Sequence, residues 1–200
     1  MIMKNIKKSI NFFAILTVFL FSGITVSAQS TWKIDPAHAK VTFSTLHNTI
    51  ADVAGLFESF ESTITASNDD FSDASATLTL KTESINTAVK MRDDHLRSAD
   101  FFEVEKYPEI SFRSTSIEKS DKKNHYILKG NLTIRNITKP ITLDMWYRGT
   151  ITDSNSGNKI AGFQITGTLN RLDYGVGPNF PEALISNKVQ IKVDAEYIQQ

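Results

Sequence analysis

Residues 141–151 read ITLDMWYRGTI, with apolar side chains or glycine at the odd positions and polar or charged side chains at most of the even ones. Successive side chains of a β-strand point to opposite faces, so this pattern predicts a strand with one face toward an apolar interior and the other toward water. The same alternation recurs along most of the chain after residue 28. The sequence therefore favours an all-β protein.

The alternation predicts about eight strands, punctuated by polar or Gly- and Pro-containing turns. Because most of the connecting loops are short, consecutive strands should be antiparallel neighbours. Closing such a sheet into an up-and-down barrel removes its exposed edges, so we predict a single eight-stranded antiparallel barrel. The alternation occurs in nine segments, from which we expect about eight strands. These segments cover residues 30–34 (with a turn at Asp35-Pro36), 41–45, 60–65, 74–81, 110–117, 126–134, 141–151 (after a break at Lys139-Pro140), 161–169 and 189–197.

One segment departs from this pattern. Met91, His95, Ala99 and Phe102 lie at helical spacing with Leu96 beside them, which predicts a short amphipathic helix over residues 91–102. We expect its apolar side to pack against one end of the barrel and to help form the mouth.

The first 28 residues resemble a secretory signal peptide. Lys4, Lys7 and Lys8 precede an apolar run at 10–21, and Val26-Ser27-Ala28 supplies small residues for cleavage. The alternative is a membrane anchor, but a run of about twelve residues is short of the roughly twenty that span a bilayer. We predict a signal peptide at 1–28, a domain at 29–200, and a periplasmic or secreted protein.

Composition excludes several classes of site. The chain has no cysteine, which rules out disulfides, thiolate nucleophiles and Cys-ligated metals. Without the leader, Lys plus Arg falls from 22 to 19 while Asp plus Glu stays at 22, so the net charge is about −3. Such a weakly acidic chain is not typical of nucleic-acid-binding proteins.

Catalytic patterns are scarce. His38, His47, His95 and His125 show no metal-ligand spacing on one element, and no serine occupies a nucleophile-elbow sequence. Arg171 falls on the inward phase at the end of its strand. It is expected either to form a rim salt bridge, with Asp173 or with acids near Arg97, or to bind a ligand headgroup. We therefore predict no enzyme, no metal and no cofactor.

The inward phase contains both large and small residues. Phe43, Phe112, Met145 and Phe163 are large, whereas Ala76, Ser114, Gly130 and Gly167 are small. The alternation by itself is compatible with a tapered, fully packed core and with a channel for an apolar molecule.

Several motifs are similar to those of the YceI-like family. The chain contains WKIDPAH at 32–38, VAGLF at 53–57 and RDDHLRSADFF at 92–102. It also has YPEISF at 107–112, GNLTIRNITKP at 130–140 and NRLDYG at 170–175. The resemblance covers the whole chain after the leader, in order, and the motifs at 92–102 and 130–140 are specific.

This resemblance implies a lipocalin-like antiparallel barrel that binds a polyisoprenoid or similar amphiphilic lipid in its pore. It favours the channel over the packed core and supplies no catalytic residues. The expected partner is an isoprenoid or other long-chain lipid, without nucleic acid or stable membrane insertion, and a homodimer is left open. The expected ligand-binding residues are Phe43, Leu78, Phe112, Ser114, Gly130, Leu132, Met145, Phe163, Gly167 and Arg171.

The sequence also allows two rival functions. One is a stress-response or surface-interaction module with a filled barrel. The other is an enzyme that modifies a lipid or quinone, which would require acid, base or nucleophile groups facing inward.

Overall fold

The computed structural model describes residues 28–200, so the predicted signal peptide lies almost wholly outside the described residues. The described part contains ten β-strands and one α-helix. These are β1 (Ser30–His47), β2 (Ala51–Phe57), β3 (Phe60–Ala66), β4 (Ser75–Lys81), β5 (Ile85–Asn86), α1 (Lys90–Arg97), β6 (Glu109–Lys119), β7 (His125–Ile134), β8 (Ile137–Thr152), β9 (Lys159–Asn170) and β10 (Ile185–Gln199).

Eight of the strands close into an antiparallel barrel, which confirms the predicted fold. The order around the barrel is β1, β3, β4, β6, β7, β8, β9 and β10, and β10 pairs back with β1. Strand β2 pairs with residues 41–47 of β1, and the two-residue β5 pairs with β2. The barrel is therefore extended at the end where β1 finishes.

The predicted turn at Asp35-Pro36 is wrong, because β1 runs through these residues. The register with β10 shifts between Ile34 and Ala39. A proline cannot donate to a β-ladder, and an irregularity of this kind lets it remain within a strand. The Asp35 carboxylate accepts a hydrogen bond from Ala37 N at 2.9 Å, which stabilises the local bend.

Strand β8 begins earlier than predicted, and Lys139-Pro140 lies inside it. A two-residue turn precedes it, with positive φ at Arg135 and Asn136, as a type I′ hairpin requires. The alternation in residues 141–151 is confirmed at Ile141, Leu143 and Met145, which are buried while their even neighbours are exposed.

The alternation in β8 does not continue to the end of the strand. The register with β9 shifts between Tyr147 and Gly149, and Ile151 beyond this shift is 65% exposed.

The helix α1 is shorter than predicted and presents a different face. It ends at Arg97, where Ser98 Oγ donates to the His95 carbonyl at 2.8 Å. Met91 is 82% exposed, so it is not part of the packed side. Phe102 lies in the turns after the helix and contacts Phe57 with ring centroids 6.0 Å apart. Among the described residues no helix is long and apolar enough to cross a membrane.

Aromatic rings close one end of the barrel, which we call the floor. Phe71, from the loop between β3 and β4, contacts Trp32, Tyr147 and Phe163 with centroid distances of 5.2, 5.0 and 4.9 Å. Phe163 also meets Tyr197 edge-on at 5.6 Å. The loop is anchored by Tyr126, whose hydroxyl donates to the Asp70 carbonyl at 2.5 Å. The other end, covered by α1 and the loops at 98–108 and 171–184, is the mouth.

Candidate functional site

The mouth half of the barrel contains an internal cavity of about 160 Å³, which we call the main cavity. Its walls come from β1, β2, β4, β6, β7, β9 and β10, from α1 and the segment that follows it, and from the loop between β9 and β10. Apart from Thr42, Thr45 and Arg171, its lining side chains are hydrocarbon: Val41, Phe43, Phe57, Leu78, Leu80, Leu96, Phe101, Phe102, Ile110, Phe112, Leu132, Ile134, Leu169, Val176, Ile185, Val189, Ile191 and Val193. Because almost all of the surface facing this space is hydrocarbon, it offers little to bind ordered water and favours an apolar occupant.

Five of the predicted ligand-binding residues line the main cavity. They are Phe43, Leu78, Phe112, Leu132 and Arg171. The four apolar ones belong to β1, β4, β6 and β7, and each lies on the inward phase of its strand. Alternation was therefore sufficient to place them inside the barrel.

A second internal cavity of about 70 Å³, the deep cavity, lies between the main cavity and the floor. Its lining includes Leu128, Ile141 and Ile165, and its polar side chains include Ser62 and Tyr197. The Ser62 and Tyr197 hydroxyls lie 2.8 Å apart, and Ser62 Oγ also donates to the Thr77 carbonyl at 2.6 Å. Burial raises the pKa of Tyr197 to about 12, so this phenol stays protonated at neutral pH.

Met145 and Phe163 were expected in the wall of a channel, but they line neither internal cavity. Met145 is fully buried and Phe163 is 2% exposed within the aromatic floor. The inward-facing residues of β8 and β9 continue past the cavities to the floor. The same alternation therefore occurs where the strands line a cavity and where they are packed. The expectation of a packed core is thus correct for this half of the barrel.

Three of the four small inward residues do not leave the empty space for a ligand that the sequence suggested; the fourth, Ala76, lines the deep cavity. The ring of Phe112 occupies the space beside Gly130, and the Leu143 Cδ2 atom occupies the space beside Gly167. Ser114 Oγ accepts a hydrogen bond from Ala76 N at 2.8 Å, so this side chain caps β4. Gly130, Gly167 and Ser114 therefore shape the wall through their neighbours and line neither internal cavity.

Arg171 does not form the predicted salt bridge to Asp173 or to the acids near Arg97. It is 3% exposed, and its guanidinium donates to five backbone carbonyls, those of Val176, Gly177, Phe180, Ile185 and Ser186. Burial lowers the pKa of this guanidinium from its ordinary value, and Glu182 opposes the shift. Arg171 thus fixes the loop between β9 and β10 over the mouth.

A second arginine at the mouth was not predicted. Arg135, in the turn before β8, donates to the carbonyls of Phe101 and Gly175 at 2.7 and 2.5 Å and pairs with Glu103 at 2.9 Å. It therefore joins the two loops that cover the mouth. Its position in the motif GNLTIRNITKP was visible in the sequence, but its partners are distant in the chain.

The mouth itself is an open cleft of about 250 Å³ that shares Phe43, Leu96 and Phe101 with the main cavity. Within the described part of the chain, three charged or titratable residues line this cleft: His47, Arg92 and His95. Arg92 donates to Thr87 Oγ1 and to the Thr87 carbonyl at 2.7 and 2.8 Å. His95 packs against the ring of Phe101 at 5.0 Å and lies 3.0 Å from an Asp100 carboxylate oxygen. The scattered histidines of the sequence thus include two that share the mouth.

The remaining two histidines lie outside the cavities. His38 Nδ1 is 2.7 Å from an Asp35 carboxylate oxygen and 3.9 Å from one of Glu196, so these three side chains converge on the outer face. The hydrogen bond with Asp35 raises the pKa of His38 and lowers that of Asp35. His125 stacks on Trp146 at 5.6 Å and contacts Asp144 at 2.9 Å. Both arrangements are surface hydrogen bonds between a histidine and a carboxylate.

Several known proteins are similar to this chain in sequence or in structure. A UPF0312 protein of Staphylococcus aureus is 33% identical over 169 residues, which cover 84% of this chain and 94% of that protein. The crystal structure of a Campylobacter jejuni YceI protein is similar with a TM-score of 0.69 at 27% identity, covering 76% of this chain and 87% of that one.

A more distant structure has the same fold. It is described as a polyisoprenoid binding domain from Saccharophagus degradans implicated in plant cell wall breakdown. Its TM-score is 0.63 at 13% identity, and the match covers 84% of this chain and 98% of that one. The YceI-like domain family itself matches residues 32–197. The match takes in the strands that close the barrel and the loops that cover its mouth, and the chain belongs to the YceI-like family.

Proposed function

We propose that this protein is an exported lipid-binding protein that carries a polyisoprenoid, or a similar amphiphilic lipid with a long apolar chain, inside the barrel. The observation that carries the proposal is the main cavity of about 160 Å³, whose lining is almost entirely hydrocarbon and which adjoins the mouth cleft, where His47, Arg92 and His95 lie. Such an arrangement suits a molecule with an apolar tail and a polar head.

The relatives support a binding role. The Saccharophagus degradans domain is named for polyisoprenoid binding, and this chain shares its fold. The polar side chains facing the interior are few, and those of the deep cavity are satisfied by one another and by the Thr77 carbonyl. A lipid- or quinone-modifying enzyme would need a free acid, base or nucleophile beside the tail, so carriage fits this interior better than catalysis.

Burial of hydrocarbon can supply the affinity. Each buried CH₂ contributes about 0.8 kcal/mol, so ten buried carbons give roughly 8 kcal/mol before about 4 kcal/mol or more is lost on association. Ligand pockets commonly measure about 300–1,000 Å³, larger than the main cavity alone. A long chain would therefore also use the mouth cleft and would displace some wall side chains.

Export is part of the proposal and rests on the sequence. Lys4, Lys7 and Lys8, the apolar run at 10–21 and Val26-Ser27-Ala28 have the order of a secretory leader. A carrier in a periplasmic or extracellular compartment would move a lipid that water alone cannot transport.

The direct test is lipid extraction followed by titration. Mass spectrometry of organic extracts of the purified protein should detect an isoprenoid or another long-chain lipid, and a fluorescent isoprenoid should bind the delipidated protein. Val189→Trp places a large ring in the main cavity and should weaken binding at least tenfold while keeping the β-sheet spectrum. Ile151→Trp, on the exposed outer face, is the matched control.

Two outcomes would contradict carriage. Extracts without lipid, together with no binding of the fluorescent isoprenoid, would favour the filled-barrel interaction module. Equal binding by Val189→Trp and the wild type would place the ligand outside the main cavity.

A further inference from the structure

The main and deep cavities are separate volumes that share part of their walls. Leu78, Phe112, Leu132, Ile191 and Val193 border both of them. Along β7 the order from the mouth is Ile134 in the main cavity, Leu132 in both and Leu128 in the deep cavity. The shared side chains therefore form a partition across the barrel.

Phe112 is the largest side chain of this partition, and its ring lies in a recess of the wall. Phe112 pairs with Leu132 between β6 and β7. Its ring extends past this pair and lies beside Gly130, the next residue of β7 on the same face. A Cβ at residue 130 would overlap the ring atoms Cε2 and Cζ. Glycine at this position thus lets the ring lie against the β7 backbone, where a larger residue would push it toward the lumen.

The chemistry of the two ends orients a ligand. The mouth cleft presents Arg92, His47 and His95, which suit a polar headgroup. The deep cavity is lined mostly by hydrocarbon, and the hydroxyls of Ser62 and Tyr197 in its wall already bond to each other and to the Thr77 carbonyl. A lipid would therefore enter with its tail first, and the tip of the tail would reach Phe112 before the deep cavity.

We propose that Phe112 determines which chain lengths this protein accepts. The inference rests on the proposed function and deepens it. With the ring in place, the tail ends in the main cavity of about 160 Å³; when the ring is removed or displaced, a further 70 Å³ becomes continuous with it. The partition therefore selects against isoprenoids whose tails must extend to the floor.

The test measures length preference with a panel of isoprenoid alcohols of increasing length, from geraniol to geranylgeraniol and longer, displacing a fluorescent isoprenoid. Phe112→Ala should raise the affinity for the longest alcohol relative to the shortest by about tenfold, because additional carbons become buried. Phe112→Trp should shift the preference toward shorter chains.

Phe60→Ala is the matched control, since it removes the same side chain from a half-buried position of β3 that borders neither cavity nor the mouth cleft. It should not change the relative affinities of long and short alcohols. Phe112→Leu removes fewer atoms and should shift the length preference in the same direction as Phe112→Ala. It provides a second test in case Phe112→Ala does not fold, which thermal melts of both variants would report.

The outcomes separate the two proposals. An unchanged length preference in Phe112→Ala and Phe112→Leu, or an equal shift in Phe60→Ala, would overturn the role of Phe112 while leaving lipid binding intact. No binding of any alcohol by the wild type would overturn both the proposed function and this inference.

Discussion

Arg171 is a buried charge that has no carboxylate partner among residues 28–200, and its hydrogen bonds explain how it is tolerated. All five of its N–H donors can be satisfied by the carbonyls of the loop between β9 and β10. Removing the side chain would leave several of these carbonyls unpaired, and each unsatisfied buried group costs about 1–3 kcal/mol.

We expect Arg171→Ala to lower the free energy of unfolding by about 3 kcal/mol or more in urea denaturation. Arg171→Lys should recover only part of this loss, because an ammonium group lacks the planar fork that reaches all five carbonyls. Arg113→Ala, on an exposed position of β6, is the control and should change stability by no more than about 0.5 kcal/mol. Similar losses of stability for Arg171→Ala and Arg113→Ala would contradict the conclusion that Arg171 stabilises the loop between β9 and β10.

Asp70 provides a pH-dependent contribution at the floor. The hydrogen bond from Lys119, at 2.8 Å, and those from Ser72 lower the pKa of Asp70 from 3.8 to about 2. A carboxyl whose pKa is depressed in the folded state stabilises it above the unfolded-state pKa, and this stabilisation disappears as the pH falls through the folded-state pKa.

Asp70→Asn should therefore be less stable than the wild type at pH 7, by no more than about 1 kcal/mol because the ion pair is exposed and screened. The difference should shrink as the pH falls from about 4 and vanish near pH 2, as followed by thermal melts across this range. A difference that is independent of pH would show that the loss arises from the loop backbone and not from the charge.

At the scale of the element, α1 contributes Arg92, His95 and Leu96 to the mouth cleft. Leu96 lines both the main cavity and the mouth cleft, whereas Met91, five residues earlier, projects into solvent. The sequence pattern assigned both residues to the packed side, because Met91 and His95 are spaced as helical neighbours. The true orientation follows from Asp93, which is buried and accepts hydrogen bonds from the Thr87 N–H and hydroxyl.

Leu96→Asp should lower the free energy of unfolding by about 2 kcal/mol or more, because it places an unpaired charge against an apolar cavity. Met91→Asp on the same helix is the matched control and should be neutral within about 0.5 kcal/mol. Chemical denaturation of both variants measures the difference. Equal stabilities would mean that α1 does not pack against the barrel in solution.

At the scale of the whole molecule, the barrel combines a packed half with a hollow half. Aromatic rings fill the floor, while the mouth half encloses the main cavity under two loops that Arg135 and Arg171 fix. The packed floor can supply stability without a ligand. This division is consistent with a carrier that must remain folded when empty.

Export is the remaining prediction for the whole molecule. The protein recovered from the periplasm or the medium should begin near Gln29, since a signal peptidase would cleave after Ala28. N-terminal sequencing of the exported protein measures this directly. An intact leader in a membrane fraction would instead support an anchor.

The sequence by itself determined the closed antiparallel barrel and the inward phase of its strands. Period-two alternation is a local property, so Ile141, Leu143 and Met145 could be assigned to one face without any knowledge of their neighbours. The short loops then fixed the order of most strands, and the family motifs agreed with both. Phe43, Leu78, Phe112 and Leu132 were placed inside the barrel for the same reason.

Only the tertiary structure decided where along the barrel the interior is hollow. Met145 and Phe163 share the inward phase with Leu78 and Phe112, but Phe71 reaches Phe163 from a distant loop and closes that end. Gly130 and Gly167 are small, but Phe112 and Leu143 fill the spaces beside them. Arg171 pairs with carbonyls instead of acids because the loop folds back around it. Each of these results depends on contacts between residues far apart in the chain, which no local pattern encodes.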